Sequence, residues 1–181
     1  MKITPCAFQL PNGELLTVRS LCTEDAEALE VFRCATYSET HFMARYPEEC
    51  TSLEAVQKGL AGSESSALNF EVGAFSGTKL VGKFGVAQVR PHIKYRHRAV
   101  MGISVLKEAW GGGLGSFLMQ LAVDQAKANG FEQLELGVCS DNARAIHLYE
   151  KFGFERCGTM PHAFKLKDGT YRDEIMMVKM L

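Results

Sequence analysis

Apolar and polar positions repeat with two different periods along the chain, and the two periods mark different elements. Strands are predicted where valine, leucine and phenylalanine alternate with polar residues between turn signals. Such segments cover 7–20, where Pro-Asn-Gly at 11–13 makes a hairpin, and then 69–75, 80–89, 99–106, 131–139, 154–166 and 171–180. Helices are predicted where apolar residues recur every three or four positions, over 26–43, 52–60, 114–129 and 142–152.

The order of these elements predicts the fold class. Segments 99–106, 114–129 and 131–139 run strand, helix, strand, and such a unit needs a parallel crossover. The neighbouring hairpins add antiparallel strands, so we expect a mixed sheet in the α/β class, or α+β in some schemes. Hydrophobic residues form 46% of the 181, and no repeat, low-complexity tract or linker divides them. A single domain over 1–181 is therefore expected.

Charge and hydropathy exclude several classes of protein. Basic residues number 20 and acidic residues 21, a net charge of −1, so no nucleic-acid partner is expected. No segment approaches the roughly 18 consecutive apolar residues of a membrane span, and residues 1–10 lack the apolar run of a signal peptide. A cytoplasmic location with no membrane partner is therefore predicted.

The six cysteines, at 6, 22, 34, 50, 139 and 157, show no spacing typical of a metal site. In a reducing compartment they are expected to be buried free thiols rather than disulfides. No bound metal is expected.

The densest chemical signal is Trp-Gly-Gly-Gly-Leu-Gly-Ser at 110–116, between a predicted strand and a predicted helix. Its four glycines let a ligand approach the main chain closely. Unpaired N–H groups and the positive dipole end at a helix start favour an anion. A phosphate or diphosphate is the expected ligand.

Two known phosphate-binding loops fit this segment poorly. A P-loop needs lysine and then serine or threonine after its last glycine, whereas Ser116 follows the last glycine directly. A dinucleotide loop fits in part, because Gly111, Gly113 and Ser116 approximate its spacing and Glu135 follows about 20 residues later. A dinucleotide-binding oxidoreductase is therefore a minor alternative, since the chain that follows is too short for the remaining strand–helix units.

Residues 102–116 resemble the acetyl-CoA-binding motif of the GNAT superfamily of N-acetyltransferases, [RQ]-x-x-G-x-[GA]. Gly113 and Gly115 match the two small positions, and Trp110 replaces the usual arginine or glutamine. A second block, Asn-Ala-Arg-Ala-Ile-His-Leu-Tyr-Glu-Lys-Phe-Gly-Phe at 142–154, is similar to the N-x-x-A-x-x-[LF]-Y-x-x-x-G-F of the same family. The close likeness covers about 99–180.

The resemblance implies both a fold and a cosubstrate, acetyl-CoA. The fold is a mixed sheet of about seven strands that splays after the fourth, flanked by about four helices. Main-chain groups of Ile103 and Val105 would bind the pantetheine arm, and the Asn142 side chain would support the cofactor. The diphosphate would be held by main-chain amides of Trp110, Gly111, Gly112, Gly113, Leu114, Gly115 and Ser116.

The resemblance also implies how the acetyl group would pass directly to a primary amine in a ternary complex. The Val105 N–H is expected to stabilise the oxyanion, and Tyr149 to hydrogen-bond to the leaving thiolate. From periodicity alone, Tyr149 would be a core residue of an amphipathic helix. Some relatives carry a glutamate on the strand before the loop, but positions 100, 102 and 104 supply none. The general base stays open among Glu39, His41, Glu71 and a water chain.

Two classes of function compete at this point. The first is an acetyl-CoA-dependent N-acetyltransferase whose acceptor, a small-molecule amine or a protein N-terminus, binds between 37–46 and the final hairpin near His162. The second is a non-catalytic module that senses CoA or acetyl-CoA, which the absent strand carboxylate favours. The retained Tyr149 favours the enzyme. An apolar last strand, 175–181, is compatible with a homodimer.

Overall fold

The computed structural model describes residues 2–181. Within these residues the chain forms eight β-strands and four α-helices. In chain order they are β1 (Cys6–Gln9), β2 (Leu15–Ser20), α1 (Ala26–Glu39), α2 (Leu53–Ser65), β3 (Phe70–Ser76), β4 (Lys79–Gln88), β5 (Arg98–Val105), α3 (Leu114–Ala128), β6 (Gln133–Cys139), α4 (Ala143–Lys151), β7 (Glu155–Lys165) and β8 (Tyr171–Met180).

The strands form one mixed sheet in the order β1-β2-β3-β4-β5-β6-β8-β7. Neighbouring strands are antiparallel except β5 and β6, which are parallel. The parallel pair is the one predicted from the strand–helix–strand unit, and the predicted fold class is confirmed. Over 2–181 the sheet has eight strands, as the pattern of elements predicts, and one more than the seven or so that the resemblance implies. The strand before the splay is therefore the fifth rather than the fourth.

The helices cover both faces of the sheet and bury its centre. On one face, α3 packs against β4, where a Cβ on Gly82 would lie 3.1 Å from Leu118. On the other face, Arg33 of α1 approaches Glu71 of β3. Phe84 and Leu134 are fully buried in the core between these layers. Among residues 2–181, no helix has the length and apolar character needed to cross a bilayer.

The expectation of six buried free thiols is wrong. Cys34 and Cys50 form a disulfide, and Cys6 and Cys157 are exposed. A pair sixteen residues apart has no signature in sequence. The pair meets because α1 ends at Glu39, four residues earlier than predicted, and the following loop folds back along the helix until the two Cα atoms are 5.8 Å apart.

Asp25 connects the start of α1 to the sheet. Arg19 of β2 donates to both carboxylate oxygens, at 2.6 and 2.7 Å, and the Cys22 N–H donates at 2.9 Å. Burial raises the pKa of Asp25, but the hydrogen bonds from Arg19 and Cys22 outweigh it, so the pKa lies below its ordinary value. The charged form therefore stabilises the fold. This contribution is complete above the unfolded-state pKa of about 3.9 and is lost as the pH falls through the folded-state pKa.

We expect Asp25→Asn to lower the free energy of unfolding by about 2 kcal/mol at pH 7, since hydrogen bonds to a charged group are lost. Urea unfolding measures this change. The difference in unfolding free energy between variant and wild type should begin to narrow below about pH 4, where the Asp25 carboxyl of the unfolded chain takes up a proton, and should close below the lower folded-state pKa. Exposed Glu27→Gln on the same helix is the control and should match wild type. Equal stability of Asp25→Asn and wild type would contradict this account.

Candidate active site

Strands β5 and β6 leave a gap that widens toward their carboxyl ends. They pair only from Arg98 to Val100 on β5, and separate beyond. The Leu106 N–H donates to the Val81 carbonyl on the β4 side, and main-chain groups alternate in direction along a strand. Ile103 and Val105 therefore direct their N–H and C=O groups away from β4 and into the gap.

The glycine loop and the gap line one cleft. Gly111 and Gly113 have φ of +80° and +85°, a left-handed conformation that glycine adopts without strain. Gly113 is the N-cap of α3, and no side chain caps this helix. From Gly111 to Ser116, six consecutive main-chain N–H groups find no acceptor among residues 2–181. Such a row of donors at a helix start is suited to an anion.

The Trp110 amide, which was predicted to belong to this row, has a main-chain partner in the structure. Its N–H donates to the Lys107 carbonyl at 3.0 Å, in a short turn before the loop. The Trp110 indole instead donates Nε1–H to the Val105 carbonyl at 2.7 Å, and the Arg144 guanidinium stacks 4.2 Å from its ring centre. The Val105 carbonyl is thus engaged, whereas the Val105 N–H still faces the gap.

Asn142 starts α4 beside the loop. Its Oδ1 accepts a hydrogen bond from the Ala145 N–H at 3.2 Å, which leaves the side-chain NH₂ with no acceptor in residues 2–181. Asn142 lines the cleft together with Arg144, His147 and Lys151, three basic side chains that follow along α4. This end of the cleft therefore offers both neutral donors and cations to an anionic ligand.

Tyr149 lies at the inner wall of the cleft and is 7% exposed. Its ring packs against Phe154, with ring centres 5.9 Å apart. The hydroxyl has no hydrogen-bond partner within 2–181, and burial raises the pKa of Tyr149 to about 12. Tyr149 is thus a core residue by its ring, as periodicity predicts, and still directs an unpaired donor toward the cleft.

The cleft has a volume of about 1160 Å³ and extends past the gap to the loop after α1. Phe42 and Met43 of this loop and Phe164 of β7 line the cleft, and they belong to the two segments between which the acceptor is predicted to bind. His162, by contrast, stacks on Tyr171 with ring centres 4.7 Å apart and lies outside the lining.

Two of the side chains considered as general base have other partners. Glu39 accepts from the Lys107 N–H at 2.9 Å and so ties α1 to the start of the glycine loop. His41 Nε2 lies 2.9 Å from Asp141, and Asp141 also accepts from Arg172 Nε at 2.7 Å. Burial raises the pKa of Asp141, but its hydrogen bonds, including those from Arg172 and His41, outweigh burial and lower it well below the usual range.

Glu71, the third candidate, belongs to a charge cluster at the edge of the cleft. Lys83 Nζ lies 2.5 Å from its carboxylate, and Arg33 lies 3.9 Å away. Burial lowers the pKa of Lys83, and the charge and hydrogen bond of Glu71 oppose this shift. The Glu71 carboxylate is held between two cations and is poorly placed to accept a third proton donor.

Three glycines, Gly85, Gly102 and Gly137, lie on the neighbouring strands β4, β5 and β6 under the cleft. The sequence analysis did not identify them as part of the site. Gly85 pairs with Gly102, and Gly137 lies two residues past the last β5–β6 pair. Glu174 of β8 covers Gly137, where a Cβ would lie 2.8 Å from the Glu174 Cδ. Isolated glycines inside predicted strands were the available signal, because they indicate a close approach of backbone and ligand. Glu174 itself carries no sequence signal.

Comparisons with known proteins agree with this geometry. An acetyltransferase of the GNAT family from Streptococcus pneumoniae has a similar structure, with a TM-score of 0.86 and 28% identity, over 92% of this chain and 99% of that one. A phosphinothricin acetyltransferase from Sinorhizobium meliloti, solved in complex with AcCoA, shares the fold at a TM-score of 0.80 and 22% identity, over 92% and 88% of the two chains.

Curated relatives match a shorter stretch of sequence. An L-methionine sulfoximine/L-methionine sulfone acetyltransferase from Pseudomonas aeruginosa is 33% identical over 72 residues, which is 40% of this chain and 42% of that protein. The match thus spans less than half of that relative's length. The profile of the acetyltransferase (GNAT) family, however, matches residues 27–154, well over half of the chain. With its parallel strand pair splayed beside a row of free loop amides, the chain belongs to the GNAT family of acetyltransferases.

Proposed function

We propose that this protein is an N-acetyltransferase that moves the acetyl group of acetyl-CoA to a primary amine by direct attack in a ternary complex. The observation that carries this proposal is the row of six unpaired amides from Gly111 to Ser116, which shares a cleft with the strand gap. A diphosphate fits such a row, because fixed dipoles at a helix start bind it without a lysine.

The chain's own groups fit the rest of the cosubstrate. The Ile103 groups would bind the pantetheine arm as a strand binds its neighbour, the Val105 N–H would reach the acetyl group at the end of that arm, and Asn142 would donate its NH₂. The cations on α4 extend the anion site beyond the loop. The bound cosubstrate would supply a thioester that is activated toward amines.

Val105 and Tyr149 would act on the reacting atoms. The Val105 N–H would donate to the acyl oxygen as negative charge develops there, a contribution of about 3 kcal/mol for one such donor. Tyr149 would donate to the departing sulfur. With its pKa at about 12 and a thiol pKa of about 8.5, full proton transfer to sulfur would cost about 5 kcal/mol. Tyr149 would therefore stabilise the thiolate through a hydrogen bond rather than protonate it.

The two other functions are less well supported. A dinucleotide-binding oxidoreductase needs several parallel strand–helix units, whereas β5 and β6 are the one parallel pair in residues 2–181. A CoA-sensing module would have no need of an unpaired tyrosine hydroxyl beside the gap.

The proposal also covers the acceptor substrate, the oligomeric state and the cellular location. A small-molecule amine is the proposed acceptor, and a protein N-terminus is the wider form of the same chemistry. Homodimer formation and a cytoplasmic location stay predictions. The Cys34–Cys50 disulfide argues against a cytoplasmic location, because disulfides are rare in reducing compartments.

Two measurements test the proposed function. Calorimetry should detect acetyl-CoA binding, and a thiol-release assay should detect turnover with a panel of L-methionine sulfone, spermidine, streptothricin and an alanine-starting dipeptide. Binding with no turnover of any of these amines would favour the sensor. The absence of acetyl-CoA binding would contradict both.

A further inference from the structure

Four carboxylates line the cleft, and three of them are already engaged. Glu39 accepts a main-chain N–H, Asp141 is shared by His41 and Arg172, and Glu71 is held by Lys83 and Arg33. The Glu174 side chain makes no hydrogen bond or ion pair with any of residues 2–181. Its carboxylate oxygens stay accessible from the cleft, because no buried side-chain oxygen of residues 2–181 lacks a partner, so a ligand in the cleft can reach them.

The position of Glu174 explains what its partner would be. Its side chain lies flat over Gly137, on the face of the sheet that also carries Gly102. Both glycines lie two residues past the point where β5 and β6 separate, at the base of the gap in which the proposed thioester would lie. The missing side chain at Gly137 makes room for Glu174 itself, and the open space above Gly102, where a Cβ would meet nothing within 4 Å, is left for an acceptor.

Glu174 also supplies the carboxylate that β5 lacks. Residues 100, 102 and 104 face the cleft from β5 but offer no carboxylate. Because β8 lies beside β6, Glu174 reaches the same face from the opposite side of the gap. An ammonium that enters from the loop after α1 meets this side chain as a free acceptor.

From this geometry we infer that Glu174 is the catalytic residue that binds the acceptor's ammonium group and takes its proton. The inference rests on the proposed function. Glu174 takes one proton from the ammonium and releases it to solvent, and the nitrogen lone pair that this frees forms the bond to the acyl carbon. The bond from carbon to sulfur breaks with its electron pair on sulfur, and the second proton that the nitrogen loses passes by way of Glu174 and solvent to the thiolate. One ammonium and one thioester thus give one amide, one thiol and one proton in solvent, and the carboxylate is regenerated.

Two variants and the pH dependence of turnover test this role with all four panel amines. At pH 7, Glu174→Gln should lower kcat/KM by about a hundredfold, the range of general-base catalysis. Below the pKa of each amine, which is about 8 for the dipeptide and about 10 for an alkylamine, the residual rate should rise about tenfold per pH unit, because the variant depends on amine that is already neutral. The wild-type rate should rise less steeply. Gly137→Ala should behave in the same way, since the new methyl group displaces the carboxylate without removing it.

Controls separate this role from a structural one. Acetyl-CoA affinity and thermal stability of Glu174→Gln should match wild type, and exposed Glu155→Gln on β7 should keep full activity. An unchanged kcat/KM in Glu174→Gln, or a loss that is equal at pH 7 and pH 9, would overturn the inference while the wild type still turns over an amine. Failure of the proposed function looks different, because the wild type itself would then release no thiol.

Discussion

Gly113→Asp should weaken acetyl-CoA binding by roughly a thousandfold. Gly113 is the N-cap of α3, at the centre of the free amides, with φ at +85°. An aspartate carboxylate there would compete for the amides and repel the diphosphate. Two like charges 4 Å apart near a protein surface repel by about 4 kcal/mol, which corresponds to that change in Kd. Calorimetry with acetyl-CoA measures it directly.

Gly113→Asn separates charge from shape. Asparagine has nearly the same size as aspartate and also tolerates a left-handed conformation, but it carries no charge. We expect its Kd to stay within about tenfold of wild type, consistent with modest backbone strain. Equal losses in the two variants would mean that charge plays no part, and normal affinity in Gly113→Asp would mean that the loop binds another ligand.

Tyr149→Phe should lower kcat by about a hundredfold, within the range for a positioned proton donor, and leave the Kd for acetyl-CoA nearly unchanged. The variant removes only a hydroxyl that has no partner in residues 2–181 and keeps the ring against Phe154. For the same reason the free energy of unfolding should not fall. Steady-state kinetics and urea unfolding measure the two effects.

Exposed Tyr171→Phe is the matched control and should keep full activity. The pH profile gives a second check. Since the pKa of Tyr149 is about 12, the hydroxyl stays protonated between about pH 6 and pH 10, and no loss of wild-type activity in that window arises from its ionisation. An unchanged kcat in Tyr149→Phe would remove this hydroxyl from the mechanism.

The helices and strands could be predicted from the sequence because they depend on the periodicity of neighbouring residues. The strand–helix–strand unit from β5 to β6 follows from alternation, then a three- and four-residue period, then alternation again. The glycine loop was found for the same reason, since its four glycines and the helix after it are adjacent in the chain. Sequence reasoning also placed Tyr149 on the buried face of α4.

Contacts between segments that are distant in the chain could not be predicted from periodicity. The Cys34–Cys50 disulfide depends on how the loop after α1 folds back. The Trp110 indole bond to Val105 depends on the turn that uses the Trp110 amide. Neither contact has a characteristic residue spacing in the sequence, because each depends on the directions in which the chain segments run.

The order of residues alone predicts the mixed fold, locates the glycine loop and carries the family resemblance, because periodicity, glycine content and motif spacing are properties of contiguous chain. Which candidate proton acceptor has no partner in the protein depends on packing. Glu39, His41 and Glu71 appear equivalent in sequence, yet folding gives each of them a partner. Glu174 lies outside every motif and reaches the cleft because β8 packs beside β6 and Gly137 leaves space for it.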